Sequence, residues 1–125
     1  MRKRNSEEQT LARFNENMKK NEYSIFGLER RKKELEDKEY FLFECRRQLN
    51  FYIEDSREAH AGTSEYQLIE QLDMDIHQED IRLRRVLDEI REDLKKEEQK
   101  LNEQQEKFQQ QYRDELNSYH NKEGR

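Results

Sequence analysis

The chain holds no proline in its 125 residues, and its only cluster of helix-breaking signals before the extreme C-terminus sits at the midpoint, in Glu58-Ala59-His60-Ala61-Gly62-Thr63-Ser64-Glu65-Tyr66-Gln67. Proline is the residue that stops a helix most firmly, so nothing on either side of that cluster limits helix length to the globular average. Two helices of roughly 50 residues would each run about 75 Å. A single break at the centre of such a chain reads as the place where one long helix folds back on itself.

The side-chain pattern supports helix on both sides. In the first half, Leu11, Phe14, Met18, Ile25, Leu28, Leu35, Leu42, Leu49 and Ile53 recur mostly at three- and four-residue spacing, which places them on one stripe. The second half is more regular: Ile69, Leu72, Ile76, Leu83, Val86, Leu87, Ile90, Leu94, Leu101, Phe108, Tyr112, Leu116 and Tyr119 keep the rhythm. The chain is 44% charged and only 30% hydrophobic, too polar for a compact core. That composition would also suit disorder, but disorder does not return apolar residues at helical spacing. The fold expected is therefore all-α: one helical-hairpin domain of two long antiparallel helices, coiled-coil-like, over about 6–58 and 65–119, with loose termini.

The break itself carries both an end and a start. Gly62 can take the left-handed conformation that closes a helix, His60 and Ala61 lead into it, and Ser64-Glu65-Tyr66-Gln67 is a capping-box pattern that opens the next. A continuous helix, pairing in a long parallel dimer, is the alternative, at a cost of only about 1 kcal/mol for the glycine. The hairpin is preferred because its two stripes bury each other within one chain. Gly27 stands without neighbouring turn residues, as a tolerated helical glycine or a place where another helix comes close.

Two irregularities point outward. Lys32, Glu39 and Arg46 occupy alternate positions of the first stripe, which weakens it as a self-sufficient zipper and argues for an asymmetric partner. Next to them Tyr40, Phe41, Phe43, Phe51 and Tyr52 widen the apolar face beyond what a two-stranded contact uses. The partner surface expected is thus Leu42, Leu49, Phe51, Tyr52 and Ile53 on the first helix, with Ile69, Leu72, Ile76, Leu83, Leu87, Ile90 and Leu94 on the second.

Charge and chemistry exclude most other classes. Residues 1–33 carry ten Lys or Arg against five acids, whereas residues 54–80 carry nine acids and one base, Arg57, so the uniformly basic footprint of a nucleic-acid binder is missing. No apolar run approaches the roughly 20 residues that cross a bilayer, and no signal-peptide core follows Met1-Arg2-Lys3-Arg4. Cytoplasmic location is expected, with any export following a route that uses no cleaved signal. Cys45 is alone and falls at helical spacing from Leu42 and Leu49, as a small packing residue. His60, His77 and His120 share no ligand spacing, and no phosphate loop or nucleophile elbow occurs, so neither cofactor, metal nor catalysis is expected. What remains is recognition of one helix by another.

A helical hairpin of this size without a signal peptide is similar to the WXG-type partner proteins of Gram-positive type VII secretion. His60-Ala61-Gly62 stands where that family places Trp-x-Gly, with the tryptophan missing, and Tyr119-His120-Asn121-Lys122-Glu123 fits its Tyr-x-x-x-Asp/Glu export pattern. Phe51 to Asp55 fits a related form, but in the wrong helix. Lacking the tryptophan, the chain most resembles the small α-helical (Lap-type) partners of LXG-domain toxins. The resemblance implies a targeting chaperone that binds the helical N-terminal domain of a toxin, together with a second small helical protein in some assemblies, and Tyr119 with Glu123 as part of an export signal. A flagellar or type III secretion stalk resembles the chain in architecture alone. A homo-oligomeric structural coiled coil is the remaining reading, and self-association in isolation is compatible with each.

Overall fold

The computed structural model describes residues 2–123, and the side chains of 5–121. The chain is an all-α helical hairpin: α1 is Arg2–Ala59 and α2 is Glu65–Glu123, 58 and 59 residues long, with no strand among the described residues. α1 runs past both ends expected for it and α2 past its C-terminal one, and the remainder of the termini expected to be loose lies outside the described residues.

Five residues reverse the chain. The N–H of His60 closes the last turn of α1 on the Ser56 carbonyl at 3.0 Å, and the His60 carbonyl then accepts both the Thr63 N–H at 3.0 Å and the Thr63 hydroxyl at 2.7 Å. Gly62 sits at φ 79°, the left-handed conformation its sequence context called for. The start of α2 departs from the expected capping box. The Ser64 hydroxyl donates to the Glu65 carboxylate at 3.3 Å, and that carboxylate lies close to its own main-chain N–H. An acid at the first helical position reaches the exposed N–H groups and lies at the positive end of the helix dipole, so it competes successfully with a serine one residue earlier. The main-chain N–H first, and the Thr63 and Ser64 hydroxyls after it, hold Glu65 below the usual glutamate range.

The packing forms two compact units, each built from both helices. One takes the outer segments, up to Arg31 on α1 and from Leu94 on α2; the other is Lys32–Asp93 and contains the turn. In the first unit Leu28 is completely buried and Leu94 nearly so, at 8% exposure. Asn21 lies among the buried residues and crosses to α2, while Arg31 pairs with Glu97 at 2.8 Å and the Tyr119 hydroxyl donates to Glu8 at 3.2 Å. Gly27 is not a point of close approach: a Cβ placed there meets nothing within 4 Å.

In the turn-bearing unit the buried apolar residue is Ile53, at 5% exposure. Beside it Arg57 binds three carboxylates: Nε to Glu70 at 2.6 Å, Nη2 to Asp73 at 2.5 Å and Nη1 to Glu54 at 2.7 Å. The lone base among nine acids is therefore the tie between the two helices at the turn. The hydrogen bond to Glu70 is the largest of the effects that raise its pKa and keep it charged.

Candidate functional site

A helix that packs on one neighbour buries one stripe, and any further apolar side chain must stand in water or meet another molecule. Sixteen large apolar side chains are exposed among the described residues, and fourteen of them belong to the turn-bearing unit. The outer segments do not share this property: among their described residues Tyr23 and Phe26 are the exposed large apolar side chains. The concentration of apolar surface on one unit is what separates it from the scattered exposed residues of any protein.

On one side of the unit a groove of about 860 Å³ runs between the helices. Leu42, Leu83 and Leu87 line it with Tyr40 and Phe43, and charged residues fill its two ends. At one end Arg91 bridges Glu39 on the opposite helix and Asp88 on its own, the latter at 2.7 Å. At the other, Arg46 Nη2 donates to His77 Nδ1 at 3.3 Å, while Nη1 of the same guanidinium is buried without a hydrogen-bond partner. An unpaired buried donor is costly, and an incoming acceptor would relieve it.

On the other side, helical spacing sets Tyr52 on α1 and the row Leu72, Val86 on α2, with Leu49 and Ile90 at the edge of the seam; all five are exposed. Acids Glu79 and Asp93 share the row of Leu72 and Val86. The α2 row on this side is apolar and acidic, while Lys38 falls in the α1 row of Tyr52.

The expected partner residues thus divide. Leu42, Leu83 and Leu87 meet in the groove, and Leu49, Phe51, Tyr52, Leu72 and Ile90 stand exposed. Ile69 and Ile76 are half-buried. Ile53 and Leu94 are a correction: both are buried within the hairpin, because their seam positions face the other helix rather than a partner. Lys32, Glu39 and Arg46 likewise sit half-buried in the seam, where Glu39 pairs with Arg91 and Arg46 with His77 inside the chain. His60, Gly62 and Ser64 form the turn as expected; the side chain of Glu123 lies outside the described residues, so the pairing of Tyr119 with Glu123 is not described. Cys45 is half-buried and a free thiol.

The sequence reading did not find the groove or the orphaned Nη1 of Arg46. Both depend on the register of α2 against α1, which no count along one helix supplies. No group of acids, histidines and cysteine among the described residues could hold a metal ion, and no described helix is long and apolar enough to cross a membrane. No protein-family model, curated protein or solved structure matches the chain.

Proposed function

We propose that the chain is a non-enzymatic helical adaptor whose turn-bearing unit receives the helices of a protein partner. One observation carries this reading: fourteen exposed large apolar side chains gathered on one hairpin unit, against two on the other. Burying apolar surface is worth about 25 cal/mol per Å², and an aromatic anchor seated in a pocket dominates such an interface. Tyr52, at 71% exposure, is such an anchor waiting for its pocket. The acidic residues of that row favour a partner helix with basic flanks, which fixes orientation and speeds encounter.

The resemblance in shape, turn and C-terminal Tyr119-x-x-x-Glu123 supplies the finer proposal. The partner is the helical N-terminal domain of an LXG-type toxin, and the complex is delivered to type VII secretion machinery. Co-expression of the chain with such a domain tests this directly. A stoichiometric complex that Tyr52→Glu with Val86→Glu abolishes, while the circular dichroism of the free chain is unchanged, supports it. A complex that survives both substitutions, or no complex, overturns it.

A further inference from the structure

We infer that a second copy of this chain occupies the groove side of the turn-bearing unit, related by a two-fold axis that passes through Phe43 and sets α1 antiparallel to α1 of the other copy. The proposal does not rest on the adaptor reading, which uses the opposite side of the hairpin. Its basis is the order of charge along the α1 wall of the groove: Glu36, Glu39, then Phe43, then Arg46, Arg47. Glu39 and Arg47 lie equally far from Phe43 on either side. One half-wall is negative and the other positive, with an exposed aromatic ring between them. A two-fold contact is self-complementary, so whatever lies a given distance before the axis meets what lies the same distance after it. Turned about Phe43, the acidic half of each copy lands on the basic half of the other, and the two rings meet at the centre.

The same operation places Glu39 of the second copy at the level of Arg46 and Arg47. That brings a carboxylate to the neighbourhood of Arg46 Nη1, the buried donor that has no partner within one chain. A parallel arrangement does the reverse: it sets acids against acids and leaves the guanidinium unrelieved. Burial of charged seam residues, the objection to a symmetric contact raised by the sequence, does not apply to this face. Glu39 and Arg46 already pair across the hairpin, and the contact is made at the side of the seam.

Two surface variants test the proposal without touching the seam. Arg47→Glu with Asn50→Glu makes the wall predominantly acidic, and Glu36→Lys with Tyr40→Lys makes it predominantly basic; all four positions are exposed. Sedimentation velocity and light scattering read the mass of each protein alone and of their equimolar mixture, with circular dichroism checking the fold. The wild-type chain is expected to be a dimer, each variant a monomer, and the mixture a dimer again. A monomeric wild type, variants that still dimerise, or a mixture that stays monomeric would each overturn the proposal. Failure here leaves the adaptor reading standing, because the toxin-domain complex is probed through Tyr52 and Val86 on the other side.

Discussion

Asn21 Nδ2 donates to the main-chain carbonyl of Leu101 at 2.9 Å and to Gln105 Oε1 at 2.8 Å, from a side chain that is almost wholly buried. Gln105 in turn donates to Glu22 at 3.2 Å, so a polar network crosses between helices inside an apolar stripe. A single polar residue in a seam fixes register because only one alignment satisfies it. Asn21→Ala leaves the Gln105 amide short of a partner and opens a gap beside it. It should lower stability by about 1–2 kcal/mol in urea unfolding.

The two internal glycines predict opposite results for the same substitution. At Gly27 an added methyl meets open space on a helix surface, so Gly27→Ala should stabilise the free chain by about 0.5–1 kcal/mol through helix propensity. Gly62 has equal room but sits at φ 79°, where a Cβ is strained, and Gly62→Ala should destabilise by about 1 kcal/mol. Parallel thermal melts decide both.

The contrast between those glycines also marks what the sequence could say. The turn was legible because backbone conformation at Gly62 is a local property, and the absence of proline made two long helices the natural reading. The fate of stripe residues was not legible. Leu49 and Ile53 share one stripe, one turn apart, yet Leu49 is exposed and Ile53 is buried. Which of them meets α2 depends on how α2 is aligned and how the helices diverge, and neither is encoded in periodicity. Polar seam residues were visible as Lys32, Glu39 and Arg46, but their partners Arg91 and His77 came only with register.

Arg57 ties Glu70 and Asp73 of α2 to α1 at the acidic turn end, with no other Lys or Arg between residues 54 and 80. Arg57→Gln leaves those carboxylates facing one another. It should lower the melting temperature more at low than at high ionic strength, because salt screens the exposed acids that the arginine otherwise neutralises. Melting temperatures of both proteins at two salt concentrations give the comparison, and a difference independent of salt would refute the electrostatic role.

Acid should loosen the turn through Glu65. Its folded-state pKa is held below the ordinary 4.5, so the unfolded chain takes up the proton more readily than the folded one. The resulting stabilisation is fully present well above 4.5 and is lost as pH falls through the depressed folded value. Glu65→Gln removes this contribution at every pH. The stability gap between wild type and variant, read from urea midpoints across that range, should shrink on acidification.

Tyr52 and Ile53 are neighbours in sequence with opposite surroundings, 71% and 5% exposed, and they separate a surface built for a partner from one built for the fold. Ile53→Ala empties the one buried apolar site of the turn-bearing unit and should cost about 2–4 kcal/mol, seen as lost helicity near the turn. Tyr52→Ser removes a larger side chain, but one that stands mostly in solvent. Its melting temperature should stay within about 0.5 kcal/mol equivalent of wild type, as for other exposed positions. If Tyr52→Ser instead destabilises the free chain as strongly as Ile53→Ala, the aromatic surface belongs to the hairpin core, and the reading of that side as a docking face falls with it. If the free chain is indifferent while partner binding is lost, burial of the ring is what binding supplies.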